Sequence, residues 1–253
     1  MPVVCAGPTP RPTTRVPADP LLIIIPAYNE QANVGAVVAG VRRVLPAADV
    51  VVVDDGSTDD TRTVAQNAGA RVLRLPVNLG YGAALQSGYK WAVRRGYPLV
   101  GQLDADGQHD PAYLPAMFEQ LLAEEIDVVI GSRFLDRDGI YRPSAARRAG
   151  IALFSGVASL IMHQHITDPT SGFQVMRLHV AQFFSTEAYP SDYPDADILI
   201  LLNRSGFRVR EIAVRMSAST GKSMHSGHHS LYYMYKMWLS ILVTLLRRPI
   251  AHK

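Results

Sequence analysis

The chain alternates between short, wholly apolar runs and longer stretches whose apolar positions recur at helical spacing. Leu21–Ile25 is the first run, followed by Pro26-Ala27-Tyr28-Asn29-Glu30 and a helical pattern reaching about Leu45. Val50–Val53 is the second and ends in Asp54-Asp55-Gly56-Ser57-Thr58-Asp59. Residues 59–68 read as helix, Arg71–Leu75 as extended and 80–95 as helix. Leu99–Leu103 is a third apolar run, ending in Asp104-Ala105-Asp106; a helix is predicted around 112–124 and a strand at Asp127–Ile130. Short apolar strands separated by amphipathic helices indicate βαβ units and a mainly parallel sheet buried on both faces, hence an α/β fold. Beyond residue 140 the rhythm changes: 143–163 reads as one helix and Phe207–Ala213 as a late strand.

Leu231–Leu246 is nearly all apolar, but Lys236, Ser240 and Thr244 recur every fourth residue and predict a narrow polar stripe. At 1.5 Å per residue the stretch is about 24 Å long, short of a hydrocarbon core of roughly 30 Å. With Tyr232, Tyr233, Tyr235, Trp238 and the following Arg247 and Arg248, it predicts an interfacial amphipathic helix. The alternative is a helix packed on the sheet or in a homodimer interface.

The 253 residues, 48% hydrophobic, suit one substantial α/β domain. Residues 1–19, rich in proline and lacking a continuous apolar segment, are expected to be a flexible leader and not a secretory signal. The main domain is expected over 20–215, with no internal repeat, and a basic loop with the last helix over 216–253. Cys5 is the only cysteine, so no intrachain disulfide exists. The net charge of +3 is unevenly distributed: from residue 200 onward nine basic residues face Glu211 alone, whereas the rest of the chain is net acidic. A basic end points to an anionic partner, which could be nucleic acid, a membrane surface or a phosphate-bearing substrate. No nucleic-acid recognition motif accompanies it, so nucleic acid is not expected.

Ligands of open parallel sheets bind beyond the carboxyl ends of the strands. Tyr28-Asn29-Glu30, Asp54-Asp55-Gly56-Ser57 and Asp104-Ala105-Asp106 all occupy that position, from three different strands. Asp54 and Ser57 also suit a plain turn with helix capping, and Glu30 suits a helix N-terminus. Asp55 instead fits a hydrogen-bond acceptor for a nucleoside. Asp104 and Asp106, two residues apart in an extended segment, share a face and repel unless a cation lies beside them. Their oxygens suit Mg²⁺ or Mn²⁺, which would also bridge substrate phosphates, with Gln108 and His109 close by. Walker-type, G-x-G-x-x-G and G-x-S-x-G motifs are absent; Thr220-Gly221-Lys222-Ser223 has Met216 where the first of these needs glycine. The three histidines His225, His228 and His229 read as part of a loop near a phosphate or in solvent.

Taken in order, Pro26–Glu30, Asp54–Asp59, Asn78-Leu79-Gly80, Asp104-Ala105-Asp106-Gly107-Gln108-His109, Gly131-Ser132-Arg133 and Thr167-Asp168-Pro169-Thr170-Ser171-Gly172-Phe173 resemble family 2 glycosyltransferases of GT-A fold. The branch most resembled is that of dolichol-phosphate mannosyltransferases and bacterial polyprenyl-phosphate glycosyltransferases. The resemblance implies a nucleotide-sugar donor bound by Pro26, Tyr28, Glu30 and Asp55 with Asp104, Ala105 and Asp106. It implies a Mg²⁺ or Mn²⁺ ion held by Asp104, Asp106 and Gln108, and displacement that inverts the anomeric centre. The stretch Tyr193–Ile198 has aspartates where this branch usually has glutamate, and Gln174 replaces the arginine of Ser-Gly-Phe-Arg.

The acceptor sets the remaining chemistry. A sugar or small-molecule hydroxyl requires a base, for which Asp168, Asp195 and Asp197 are candidates. A polyprenyl phosphate is already an anionic nucleophile and requires cations, for which Arg133, Arg215 and Lys222 are candidates. Arg215 and Lys222 also suit a solvated basic surface, and Asp168 a turn before Pro169. Transfer to polyprenyl phosphate is the expected function, at the inner face of the cell membrane and from the cytoplasmic side, with peripheral contact through residues 229–248. A separate membrane subunit or a homodimer would be compatible partners, and a nucleotide-sugar-binding protein without turnover is the reading of another class.

Overall fold

The computed structural model describes residues 19–123, 125–136, 145–187, 189–190, 196–216 and 229–246. Its strands are β1 (Leu21–Ala27), β2 (Asp49–Asp54), β3 (Arg71–Arg74), β4 (Leu99–Gln102), β5 (Val128–Ser132), β6 (Gln174–Arg177) and β7 (Val209–Ala213). The helices are α1 (Val34–Val44), α2 (Thr61–Asn67), α3 (Tyr81–Arg95), α4 (Leu114–Ala123), α5 (Ala145–Met162), α6 (Leu178–Phe184), α7 (Ala196–Arg204) and α8 (His229–Leu246). The strands form one sheet in the order β3-β2-β1-β4-β6-β5-β7.

The apolar runs are strands because both faces of the sheet are covered. Side chains alternate across a strand, so Leu22 and Ile24 join a core with α3, α5, α6 and α7. Leu21, Ile23 and Ile25 point the other way, into a core with α1 and α4. A strand covered on one side would need polar residues at every second position.

The pairings between these strands are parallel except those of β6, which runs antiparallel between β4 and β5. Sequence periodicity does not reveal β6. Its four residues Gln174-Val175-Met176-Arg177 begin and end on polar side chains, although Gln174 is buried. α6 and α7 are likewise absent from the periodicity; α7 is buried from Ala196 to Leu202, so it lacks the polar face that reveals a surface helix. The register places Ala27 opposite Asp54 and Ile24 opposite Gln102. The loops leaving β1, β2 and β4 therefore emerge together at one edge.

Candidate active site

The first two loops are laced to each other. Asn29, in the left-handed region at φ 56°, donates its backbone N–H to Ser57 Oγ at 3.0 Å. Its side-chain oxygen accepts from the Thr58 N–H at 2.9 Å, and Glu30 N donates to Thr61 Oγ1 at 2.7 Å. Asp54 is buried and closes its own turn by accepting from Ser57 N at 2.9 Å. Asp55 is buried too, and its two oxygens accept from Leu79 N at 2.7 Å and Gly80 N at 2.9 Å. That ties Asn78-Leu79-Gly80, and so the start of α3, to the end of β2.

Gly56 makes the close passage possible. Its φ is +73°, and a Cβ there would lie 2.6 Å from the Val77 carbonyl carbon. Replacing it with alanine should destabilise the chain by about 1–3 kcal/mol, since backbone cannot yield as a side chain tip does. Urea unfolding measures this; an unchanged midpoint would mean the loop is not seated on Gly56.

The third loop is fixed from several sides. Tyr81, the first residue of α3, donates its hydroxyl to Asp104 Oδ1 at 2.7 Å. The Asp104 N–H is accepted by His109 Nδ1 at 3.0 Å, and His109 is buried and stacked on Phe173 at 5.1 Å. Nε2 of the same ring lies 3.7 Å from Asp104 Oδ2. Gly172 leaves room for this arrangement: a Cβ there would stand 2.7 Å from the Tyr81 hydroxyl and 3.4 Å from both Asp104 carboxylate oxygens. Asp106 accepts from the Gln108 N–H at 2.9 Å and from the Gln108 side-chain amide.

Glu30 completes the acidic group. Burial pushes its carboxyl above the usual glutamate range; the negative charges of Asp106 and Asp104 add to this, and a hydrogen bond from Asn33 partly offsets it. Three carboxylates from two loops thus share one field. Among the described residues no three His, Cys, Asp or Glu side chains form a cage for a metal ion. Two carboxylates on one strand end match the way Mg²⁺ is usually held, with substrate phosphates and waters filling the other positions.

Other expected residues lie elsewhere. Pro26 is buried within β1, Tyr28 is exposed beside the Asn29 turn, and Ala105 is buried between the two aspartates. Asp168 is 0% exposed, and its two oxygens accept a bidentate pair from Arg133 at 2.7 and 2.6 Å. Arg133 also donates to Thr170 Oγ1 at 2.8 Å. As placed, Asp168 and Arg133 neutralise each other, and no oxygen of Asp168 is exposed toward a substrate hydroxyl. A base needs an oxygen that the hydroxyl can reach.

Glu211, on β7, holds this pair from beneath: it accepts from Asp168 N and Thr167 N, both at 2.8 Å, and from Thr167 Oγ1 at 2.9 Å. Burial raises its carboxyl above the usual range, against the lowering effect of those donors. Asp197 is buried in α7 and accepts from Ser240 Oγ of α8 at 2.5 Å, which commits it to a helix contact. Arg215 is exposed, 3.1 Å from Asp136, and the next residue, Met216, bridges to His109. Arg215 therefore stands beside the loop carrying Asp104 and Asp106. Asp195 and Lys222 lie outside the described residues.

Sequence reasoning gave no functional role to Tyr81, Gly172 or Glu211. Tyr81 directly follows Asn78-Leu79-Gly80, and Glu211 is the sole acidic residue from position 200 onward; both are signals available in the sequence.

The family model for glycosyl transferase family 2 matches residues 22–183. A polyprenol monophosphomannose synthase from Mycolicibacterium smegmatis is 30% identical over 236 residues, covering 89% of this chain and 88% of that protein. An undecaprenyl-phosphate mannosyltransferase from Micrococcus luteus is 30% identical over 216 residues, covering 82% and 88%. Among solved structures, glucosyl-3-phosphoglycerate synthase from Mycobacterium tuberculosis, in complex with Mn²⁺, UDP and phosphoglyceric acid, superposes with a TM-score of 0.68. That match is 20% identical and covers 93% of this chain and 80% of the other.

Proposed function

As the chain belongs to glycosyl transferase family 2, we propose that it moves a sugar from a nucleotide-sugar donor to a polyprenyl phosphate, with inversion and with the help of a divalent cation. The observation that carries the donor half is the meeting of Glu30, Asp104 and Asp106 at the carboxyl edge of the sheet, with Asp104 held by Tyr81 and the His109 ring. Tyr28, Glu30 and Asp55 belong to the two laced loops beside it, Pro26 lies in β1 just before the first of them, and Ala105 anchors the third loop in the core between the aspartates, so these residues are assigned to the donor.

Asp104 and Asp106, with the Gln108 side chain, would hold Mg²⁺ or Mn²⁺. Two hard carboxylates with a nearby amide suit either ion, and the similar solved structure contains Mn²⁺ with UDP. Such an ion would supply positive charge against the departing diphosphate. Tyr81 keeps Asp104 turned to the site, and Gln108 does the same for Asp106.

Two observations favour a phosphate over a hydroxyl acceptor. Asp168 and Asp197, the described candidate bases, are both buried with their carboxylates engaged. A lipid phosphate is ionised at neutral pH and needs no base. It needs cations, and Arg215, beside the Asp104–His109 loop, is assigned to it together with Lys222. Arg133 steers the Thr167–Phe173 segment through Asp168 and contributes from behind. The two relatives described above carry names for sugar transfer to polyprenyl-type phosphates. An acceptor of that kind lies in a membrane, and with it go the proposals of peripheral contact through residues 229–248 and of a catalytic face toward the inner leaflet.

Incubation with a panel of nucleotide sugars, with and without polyprenyl phosphate, tests this reading. Transfer is expected only with the lipid phosphate, and chelation by EDTA should lower it at least about a hundredfold. Rapid transfer to a hydroxyl acceptor without lipid would overturn the acceptor, and full activity in EDTA would overturn the metal.

A further inference from the structure

Asp168 and Asp104 are held by opposite means. Asp168, 0% exposed, is gripped by the Arg133 guanidinium, which cancels its charge. Asp104 keeps 31% of its side chain exposed and is gripped by a phenol, its Oδ1 accepting from the Tyr81 hydroxyl at 2.7 Å. A neutral donor fixes the direction of a carboxylate and leaves its negative charge for a cation.

That direction needs holding. Asp106 and Asp104 both push the Glu30 carboxyl upward by their charge, so the carboxylates of this group repel one another. An aspartate side chain left free would swing toward water, since a change of rotamer costs little against like-charge repulsion. The backbone does not prevent it: the Asp104 N–H is spent on His109 Nδ1, which fixes the loop and not the carboxylate. His109 Nε2 stands 3.7 Å from Oδ2, beyond hydrogen-bond reach.

Tyr81 is itself well anchored. Asp55 accepts from the Leu79 and Gly80 N–H groups and fixes the start of α3, and the Tyr81 ring packs against the main core. Two turns further along α3, the buried Tyr89 donates to Gln102, with Tyr189 bonded to its hydroxyl. Gln102 ends β4 and Asp104 follows two residues on, so one helix reaches this strand end with two hydroxyls.

Gly172 closes the remaining side. A Cβ there would lie 2.7 Å from the Tyr81 hydroxyl and 3.4 Å from both Asp104 oxygens. The segment cannot draw back: Ser171 Oγ donates to the Gly131 carbonyl at 2.6 Å, Gln174 Nε2 donates to the Ser171 carbonyl at 2.9 Å, and Phe173 is buried.

We propose that Tyr81 is a positioning residue for the cation site, and that Gly172 is the wall against which its hydroxyl and Asp104 meet. Tyr81 holds Asp104 near Asp106 before the ion arrives, so the folded chain has already met the cost of bringing like charges together. The proposal rests on the cation reading above and adds to it the two residues, neither of them a ligand, on which that site depends.

Mn²⁺ binding, read from the EPR signal of the free ion with UDP or GDP present, is the test. Tyr81→Phe keeps the ring and loses only the hydroxyl. It should weaken Mn²⁺ binding about tenfold, the loss of one hydrogen bond to a charged group. The same variant should need about tenfold more Mn²⁺ for half-maximal sugar transfer, with turnover recovering as the ion is raised. A merely structural tyrosine would lower turnover at every Mn²⁺ concentration and leave ion binding unmoved, which would overturn the proposal. Gly172→Ala should weaken binding by a similar factor, because the new methyl group displaces the hydroxyl before it displaces tied backbone. The two losses share one contact, so Tyr81→Phe combined with Gly172→Ala should also bind about tenfold more weakly than wild type. A double variant about a hundredfold weaker would overturn the shared contact. Wild type that binds no Mn²⁺ with either nucleotide would overturn the cation reading itself. Binding that Asp106→Asn removes and Tyr81→Phe leaves unchanged would overturn the positioning role alone.

Discussion

Replacing Asp106 with asparagine should lower sugar transfer by about 10³-fold, or roughly 4 kcal/mol in the barrier, while leaving the fold intact or stabilising it. The two effects oppose each other for one physical reason. Asp106 raises the carboxyl of Glu30 by its negative charge, as Asp104 does. Such repulsion weakens a folded chain and is relieved only when positive charge arrives. Asparagine keeps an oxygen for the Gln108 N–H, which lies 2.9 Å from Asp106 Oδ1. It removes the charge, so the cluster repels less and a divalent cation is held less. Turnover assays and thermal unfolding on the same preparation check this. Undiminished transfer would remove Asp106 from the metal site, and a large loss of stability would make its role structural.

Replacing Asp168 with alanine should have the reverse signature. The Arg133 guanidinium, 8% exposed, would lose both hydrogen bonds to the carboxylate and its ion pair with it. Breaking a buried pair from one side typically costs about 3–5 kcal/mol, against a total stability of about 5–15 kcal/mol. For a domain of this size that lowers the melting temperature by about 6–20 °C. The double variant Asp168→Leu with Arg133→Met should recover most of the loss, because neither member of the pair is then left buried without the other. Scanning calorimetry on the three variants decides it. A loss below about 1 kcal/mol in the single variant would mean the pair is not the clamp described here. Glu211 supports the clamp from beneath, so its removal should act in the same direction.

These two carboxylates show what a sequence can and cannot disclose. Asp106 follows an apolar run, two residues after Asp104, and that local spacing is enough to nominate it. Asp168 stands in an equally suggestive motif, Thr167–Phe173. Its chemistry nevertheless depends on Arg133, thirty-five residues earlier, and on Glu211, forty-three residues later. Both are near only because β6 turns antiparallel between β4 and β5 and brings β5 and β7 alongside. β6 itself is too short and too polar at its ends to declare itself.

The sequence by itself determined the strands of the buried sheet other than β6, the three loops at the carboxyl ends of β1, β2 and β4 and the family to which their motifs belong. All of these are written locally, in runs of apolar residues and in residue types at fixed spacing. The tertiary structure alone decided which carboxylates are paired with a guanidinium and which are gathered with one another at the sheet edge. It also decided the direction of the last helix. The fourfold spacing of Lys236, Ser240 and Thr244 establishes that α8 has two unlike faces, but not what each one meets. Asp197 lies on another helix and takes the Ser240 hydroxyl, so Ser240 and Thr244 are drawn inward and Leu239, Leu242 and Leu246 are turned out. Periodicity records the difference between two faces; only the partners brought in by the fold assign each face its side.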